Sequence, residues 1–366
     1  MRQTLRRLLF YVSGHGFGHA TRTRALIAEL LRSSPFELAL HVRTDAPHWI
    51  FQERDASVAC SRSAVDVGIL QHSGMEIDVA SSLAAHESFV RSWQQRVDEE
   101  ARFIATLAPS LVIADIPPLA FAAAARAEVP AVGMANFSWD WITAQYAAYE
   151  PRWAPISECY ATAYAGAECS YRLPLHSDFA AFRRVVDMPF VVNRSPHSRT
   201  ACRERLGFDP EDSRRLILVS FGGFGAGAIA AGSDDLSDYR FAIIGETPAG
   251  IGGSWTSLPS PSPVAHEDLM RACDAVVGKT GYGTVSEALA HDVRFLYLPR
   301  AGFPEAPLLE AGLHRLGCAR AMARSDFETG RWRASLDALF ALPAPPPPPA
   351  IDGAERIATA LIERLS

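Results

Sequence analysis

The chain has 366 residues, 48% of them hydrophobic and 21% charged, which is enough apolar content for about two full-sized cores and too much for a disordered chain. A formal net charge of −6 argues against a nucleic-acid binder, which carries a basic face. Of the 35 basic residues 34 are Arg, and the single Lys is Lys279. Codon bias accounts for a generic arginine surface. One surviving lysine points to a place where a compact ammonium does what a planar guanidinium does not.

Two more features bear on location. The six cysteines (60, 159, 169, 202, 273 and 318) never form CxxC, so reduced, buried thiols are expected and a disulfide frame or zinc site is not. The opening MRQTLRRLLFYV is too short an apolar run for a signal peptide, and no stretch approaches the ~20 apolar residues that span a bilayer. A cytoplasmic protein is expected.

Along the chain, LLFYVSG (8–14) has the apolar run of a buried parallel strand, ending in glycine. A Gly-rich turn leads into TRTRALIAELLRSS (21–34), where Ala25, Leu26, Leu30 and Leu31 make a helical stripe. FELALHVRT (36–44) completes a βαβ unit. PSLVIAD (109–115) and VPAVGMAN (129–136) are further strands flanking an Ala-rich helix at 119–128. The pattern restarts with RRLILVSFGG (214–223), YRFAIIG (239–245), ACDAVVGKTGYGTVSEALA (272–290) and a last strand, VRFLYLP (293–299). Two doubly wound α/β domains with parallel sheets are predicted. They cover 1–192 and 193–342. The proline run at 343–349 is a stiff spacer before a final helix, so 343–366 is expected to pack back across the junction.

Four constellations carry candidate chemistry. The turn SGHGFGHATR (13–22) departs from the dinucleotide fingerprint GxGxxG, and no acidic residue ends the second strand, which disfavours a nicotinamide cofactor. It places His15 and His19 at the carboxyl edge of a parallel sheet, where open α/β folds bind ligands. Asp115, at a neighbouring strand end, either accepts the far N–H of His19 or caps the following helix. FGGFGAG (221–227), with Gly222 and Gly223, suits close approach to a diphosphate, or is a plain flexible turn. In GKTGYGTVSEALA (278–290), Thr284 and Glu287 have capping-box spacing. The same loop offers Lys279, Gly281 and Gly283 to a phosphate, with Glu287 toward a ribose and Glu305 beyond the next strand. Asn136, Trp139 and Asp140 either shape an acceptor pocket or form a capped helix start with a core Trp.

At these residues the sequence resembles a GT-B-fold glycosyltransferase, and more closely the glycosyltransferase-like N-terminal domain of plant L-arabinokinases and its free-standing bacterial relatives. The resemblance rests on YVSGHGFGHATR (11–22), ANFSWDW (135–141), YRLP (171–174), AFRRVVDMPFVV (181–192), FGG and GKTGYGTVSEALA, in order over about nine-tenths of the chain. It implies two Rossmann-like domains facing a central cleft; the sequence shows no galactokinase-type half, so sugar phosphorylation is not expected. More distant likeness to UDP-glycosyltransferases and lipid II N-acetylglucosaminyl transferase implies His19 as general base and Asp115 as its orienting partner. It puts Lys279 at a diphosphate-binding position, Glu287 at a ribose-binding one and Glu305 near the donor sugar; the Asp-Gln pair that reads that sugar is absent. His15 is an additional, family-specific residue.

The expected activity is inverting transfer from a nucleotide sugar, most naturally a UDP-sugar, to a small-molecule or lipid-linked acceptor hydroxyl. Neither a metal nor another cofactor is expected, and a peripheral membrane contact stays open. A nucleotide-sugar epimerase or hydrolase, or a catalytically silent binding module, are the alternatives on the same fold.

Overall fold

The computed structural model describes residues 5–52, 58–209, 211–221, 232, 234–247, 253–259, 262, 264–344 and 347–366. The chain divides into two compact units. Unit 1 comprises 1–70, 78–191 and 350–366; unit 2 comprises 71–77 and 192–349.

Unit 1 is built on seven parallel strands: β1 (Leu5–Val12), β2 (Glu37–Thr44), β3 (Ala59–Arg62), β4 (Leu111–Asp115), β5 (Ala131–Ala135), β6 (Cys169–Arg172) and β7 (Val185–Asp187). Their order is β3-β2-β1-β4-β5-β6-β7. Leu8 to Val12 are at most 1% exposed, as expected of a central strand covered on both faces. The winding direction reverses between β1 and β4, whose ends meet where Val12 lies opposite Asp115. At such a reversal the loops leave in opposite directions and open a crevice at the carboxyl ends of the strands.

The first helix begins earlier than its apolar stripe suggests, at Phe17, and runs to Ser33. Gly16 enters it at φ +75°, a backbone conformation that a side chain resists. The helix buries Leu26, Ile27 and Leu30 together with the polar Arg22, Thr23 and Arg24. The C-terminal helix, Gly353–Leu365, belongs to unit 1 and packs on Phe17–Ser33. It docks by a bond from the Gly353 N–H to the Phe190 carbonyl at 3.1 Å.

Unit 2 has six parallel strands: β8 (Arg215–Ser220), β9 (Tyr239–Ile244), β10 (Ser254–Leu258), β11 (Ala275–Lys279), β12 (Arg294–Leu298) and β13 (Ala319–Ala321), in the order β10-β9-β8-β11-β12-β13. The last strand is therefore β13 and not 293–299; three residues are too few for a sequence pattern to betray. The winding reverses between β8 and β11, where Gly278 pairs with Ser220. A Cβ on Gly278 would stand 2.0 Å from the Ser220 carbonyl oxygen, so only glycine fits. Fully buried Trp332 closes the core against Phe241, Trp255 and Phe327. Pro347, Pro348 and Pro349 line one groove together with Leu289, Val293 and Leu316, and Pro347 and Pro348 are exposed.

All six cysteines are free, but Cys60 and Cys159 are only partly buried, a correction to the expectation of six buried thiols.

Candidate functional site

In unit 1 the turn after β1 sets His19 on the first turn of the helix Phe17–Ser33, beside the end of β4. His19 Nδ1 lies 2.8 Å from Asp115 Oδ1. The same carboxylate receives Arg22 Nε at 2.6 Å and Nη2 at 2.5 Å, and the Thr23 hydroxyl at 3.1 Å. A carboxylate only accepts, so His19 carries its proton on Nδ1 and keeps the Nε2 lone pair free for a proton. Arg22 Nη2 also approaches Nδ1 to 2.9 Å, but a protonated Nδ1 cannot accept; its proton goes to Asp115. Burial by itself would raise the Asp115 carboxyl; the charges of Arg22 and His19 and their hydrogen bonds outweigh it and hold the group below its ordinary value. Of the two sequence readings of Asp115, the structure selects the histidine partner. The following helix, Pro118–Arg126, has Pro117 at its cap and no side-chain cap bond.

Arg22 is the residue that sequence reasoning passes over, since an arginine in an Arg-rich helix looks like surface. It is 3% exposed, and its Nη1 donates to Asn136 Oδ1 at 2.8 Å, tying β4 and β5 to the first helix. Its place four residues before Leu26, on the apolar stripe, is the signal that could have found it.

His15 and Trp139 also come together, ring edge to ring face, with centroids 6.1 Å apart. Trp139 continues to Phe137 at 5.1 Å, and Phe137 to His19 at 5.7 Å. At 2% exposure Trp139 is a core residue, and its Nε1 donates to Asp66 Oδ2 at 3.0 Å. Asp66 was not legible: it stands alone in the irregular run SAVDVG (63–68), without any periodicity. Asp140 sits on the first turn of the helix Trp139–Ala147; burial raises its carboxyl above the ordinary range.

In unit 2, Lys279 ends β11 at the reversal point, and the helix Tyr282–Ala290 follows shortly after, with Gly281 as its cap. Thr284 is thus the third helical residue and not the cap, because Gly281 in extended conformation already opens the helix; no side chain caps it. Gly283 lies in the same first turn. Burial first, and then the Arg300 charge, bring the Lys279 ammonium down to about 8, against an opposing pull from Glu305. Arg300 and Glu305 are both buried. Arg300, stacked at 4.5 Å on Phe303, is a second cation that the sequence pattern did not single out. Glu287 is 5% exposed, and its Oε2 is 2.6 Å from His266 Nδ1. Gly222 and Gly223 lie outside the described residues. Among the described residues no group of three or more His, Cys, Asp or Glu side chains is arranged to hold a metal, and no helix is long and apolar enough to cross a membrane.

Residues 6–160 match glycosyl transferase family 1. The chain is 31% identical over 344 residues to L-arabinokinase of Arabidopsis thaliana, covering 91% of this chain and 32% of that protein. It therefore spans about a third of this curated relative's length. The glycotransferase of kitacinnamycin superposes with a TM-score of 0.60 at 16% identity, over 98% of this chain and 94% of the other. Phytolacca americana UGT2, solved with UDP-2fluoro-glucose and pterostilbene, gives 0.58 at 13% identity, over 99% and 94%. At such identities the likeness shows the fold.

Proposed function

We propose that this chain, a glycosyltransferase of GT-B fold whose residues 6–160 match glycosyl transferase family 1, transfers a sugar with inversion from a nucleotide sugar to an acceptor hydroxyl. The observation that carries the reading is the His19–Asp115 contact of 2.8 Å at the reversal point of the first sheet. The acceptor oxygen attacks the anomeric carbon while its proton passes to His19 Nε2. The bond from that carbon to the diphosphate breaks, and the nucleoside diphosphate leaves with the electron pair. Asp115 fixes the tautomer and steadies the imidazolium that forms. Such a positioned base contributes typically ~10²–10⁴-fold.

Unit 2 is the donor side of this reading. The growing negative charge on the leaving diphosphate meets Lys279, the N–H groups opening the helix Tyr282–Ala290 around Gly281, Gly283 and Thr284, and the buried cation Arg300. These fixed donors do the electrostatic work, and the transfer is proposed to run without metal. Glu287, held by His266, takes a ribose hydroxyl, and Glu305 a donor-sugar hydroxyl. A UDP-sugar is the donor proposed, by analogy with the UDP-2fluoro-glucose bound to the Phytolacca enzyme. The acceptor, a small molecule or a lipid-linked one, engages His15, Asn136, Trp139 and Asp140 in unit 1, and the setting is cytoplasmic.

The test is mass spectrometry after incubation with a panel of nucleotide sugars and acceptors. Transfer that is lost in His19→Ala is expected. Nucleoside diphosphate release without a glycosylated product would replace transfer by hydrolysis, and binding without turnover would leave a silent module.

A further inference from the structure

His15 has a carboxylate of its own. Its Nε2 is 3.7 Å from Asp66 Oδ1, while the other Asp66 oxygen is occupied by the Trp139 indole N–H at 3.0 Å. Asp66 is 5% exposed and the His15 side chain 30%, so the acid is fixed inside and the imidazole reaches solvent. The ring rests on Gly68. That residue has φ +66°, and a Cβ there would stand 2.2 Å from the His15 ring. Gly68 is fixed in turn from behind: its carbonyl accepts from His86 Nε2 at 2.8 Å, and His86 Nδ1 accepts from the Tyr160 hydroxyl at 2.7 Å. A chain of buried bonds running from Tyr160 through His86 to Gly68 thus ends on one partly exposed imidazole. Nothing in the proton transfer assigned to His19 uses it.

We propose that Asp66 and Gly68 are positioning residues that make His15 a second histidine–carboxylate pair, and that the acceptor is a polyhydroxyl compound held by two hydroxyls, one at each imidazole. The proposal rests on the glycosyl-transfer reading and narrows its acceptor class. Two imidazoles four residues apart, each backed by a buried carboxylate and joined by the ring series His15–Trp139–Phe137–His19, suit a polyol or sugar ring better than a lone alcohol. His19 takes the proton of the attacking hydroxyl, and His15 bonds another hydroxyl of the same molecule. The titratable groups facing His15 are Asp66, Asp45, His19 and His86; burial first, joined by His19, holds its imidazole below the ordinary value against the pull of Asp66 and Asp45.

The experiment is NMR of protein with ¹⁵N-labelled histidine, in the presence of UDP, with the His15 signals assigned by their loss in His15→Asn. Glucose, galactose and myo-inositol are titrated against 1-propanol and cyclohexanol. The polyols are expected to shift both His15 and His19, and the monohydric alcohols to leave His15 unmoved. In Asp66→Asn the His15 titration midpoint should fall, and polyol affinity should weaken about tenfold, the net worth of one hydrogen bond from an imidazole no longer held in place. Gly68→Ala should displace the His15 ring and weaken the polyols likewise, with UDP binding retained as evidence of folding. An unchanged His15 midpoint in Asp66→Asn overturns the positioning role. Monohydric alcohols that shift His15 as strongly as the polyols overturn the acceptor class. Polyol shifts at both histidines without any sugar turnover would support this site while sinking the transfer reading alone.

Discussion

Arg22 grips Asp115 through both carboxylate oxygens, at 2.6 and 2.5 Å, and leaves His19 the remaining lone pair of Oδ1. The pair is almost wholly withdrawn from water, with Arg22 3% and Asp115 1% exposed. Such a pair adds little net stability, but removing one partner strands a buried charge, at a cost of about 3–5 kcal/mol. Its effect on His19 is geometric. With Asp115 immobilised, the imidazole has one orientation and one tautomer.

Asp115→Asn should therefore reduce kcat about 10²–10⁴-fold, because an amide can turn its NH₂ toward Nδ1 and select the wrong tautomer. His19→Ala should fall in the same range. Donor affinity, read by UDP titration, should stay within about twofold in both, since the donor contacts proposed above lie in unit 2. Equal turnover in wild type and His19→Ala would remove the base assignment.

UDP affinity should depend on pH through Lys279. Its ammonium, depressed to about 8 by burial and by Arg300, is charged below that pH and neutral above it. Affinity is thus fullest below about pH 8 and declines as pH rises through it. Lys279→Met should bind about 10–100-fold more weakly and lose this pH dependence, measured by calorimetry from about pH 6.5 to about pH 9.5. Lys279→Arg should also weaken binding, since a guanidinium fork is broader than an ammonium on a thin stem. Wild-type affinity in that variant would return the single lysine to chance.

His86 should make unit 1 acid-sensitive. Burial, with a smaller push from His15, lowers its imidazole from 6.5 to about 4, against the hydrogen bond to Gly68. The unfolded chain binds the extra proton first, so stability is complete above about pH 6.5 and is lost as pH falls toward 4. The amount is about 3 kcal/mol. Urea unfolding of wild type and His86→Gln across this window should show a shallower slope in the variant.

Gly278→Ala should destabilise unit 2 by more than about 1–3 kcal/mol, the usual cost of overpacking. The added methyl would collide with the Ser220 carbonyl of the adjacent strand, a backbone atom that cannot step aside. Thermal unfolding checks this, and a change of less than about 0.5 kcal/mol, the size of a neutral surface substitution, would contradict the close approach of β8 and β11.

Much of the architecture was legible because it is written locally. LLFYV, LVIAD, LILVS and AVVGK are short, largely apolar runs rich in branched residues and followed by turn signals, the pattern of a strand covered on both faces. Glycines and histidines just after those runs fall at the carboxyl edge of a sheet whatever the details of packing. Short strands were not legible: β7 and β13, of three residues each, exist because a neighbour offers hydrogen bonds, not because of their composition. The capping-box reading of Thr284 failed for a related reason. Spacing names residues that can cap, while the strand end at Lys279 decides where the helix starts.

The sequence by itself determined the two parallel α/β units, the histidine turn and the place of the single lysine, since each follows from neighbours a few residues away. Tertiary structure alone decided the partners. Asp115 meets His19 across 96 residues and Arg22 across 93, and Asp66 meets Trp139 across 73. A carboxylate on a strand end or in a loop has no periodicity that names its counter-ion. Which buried cation and imidazole it satisfies is fixed only when the strand order β2-β1-β4-β5 brings their loops to one edge.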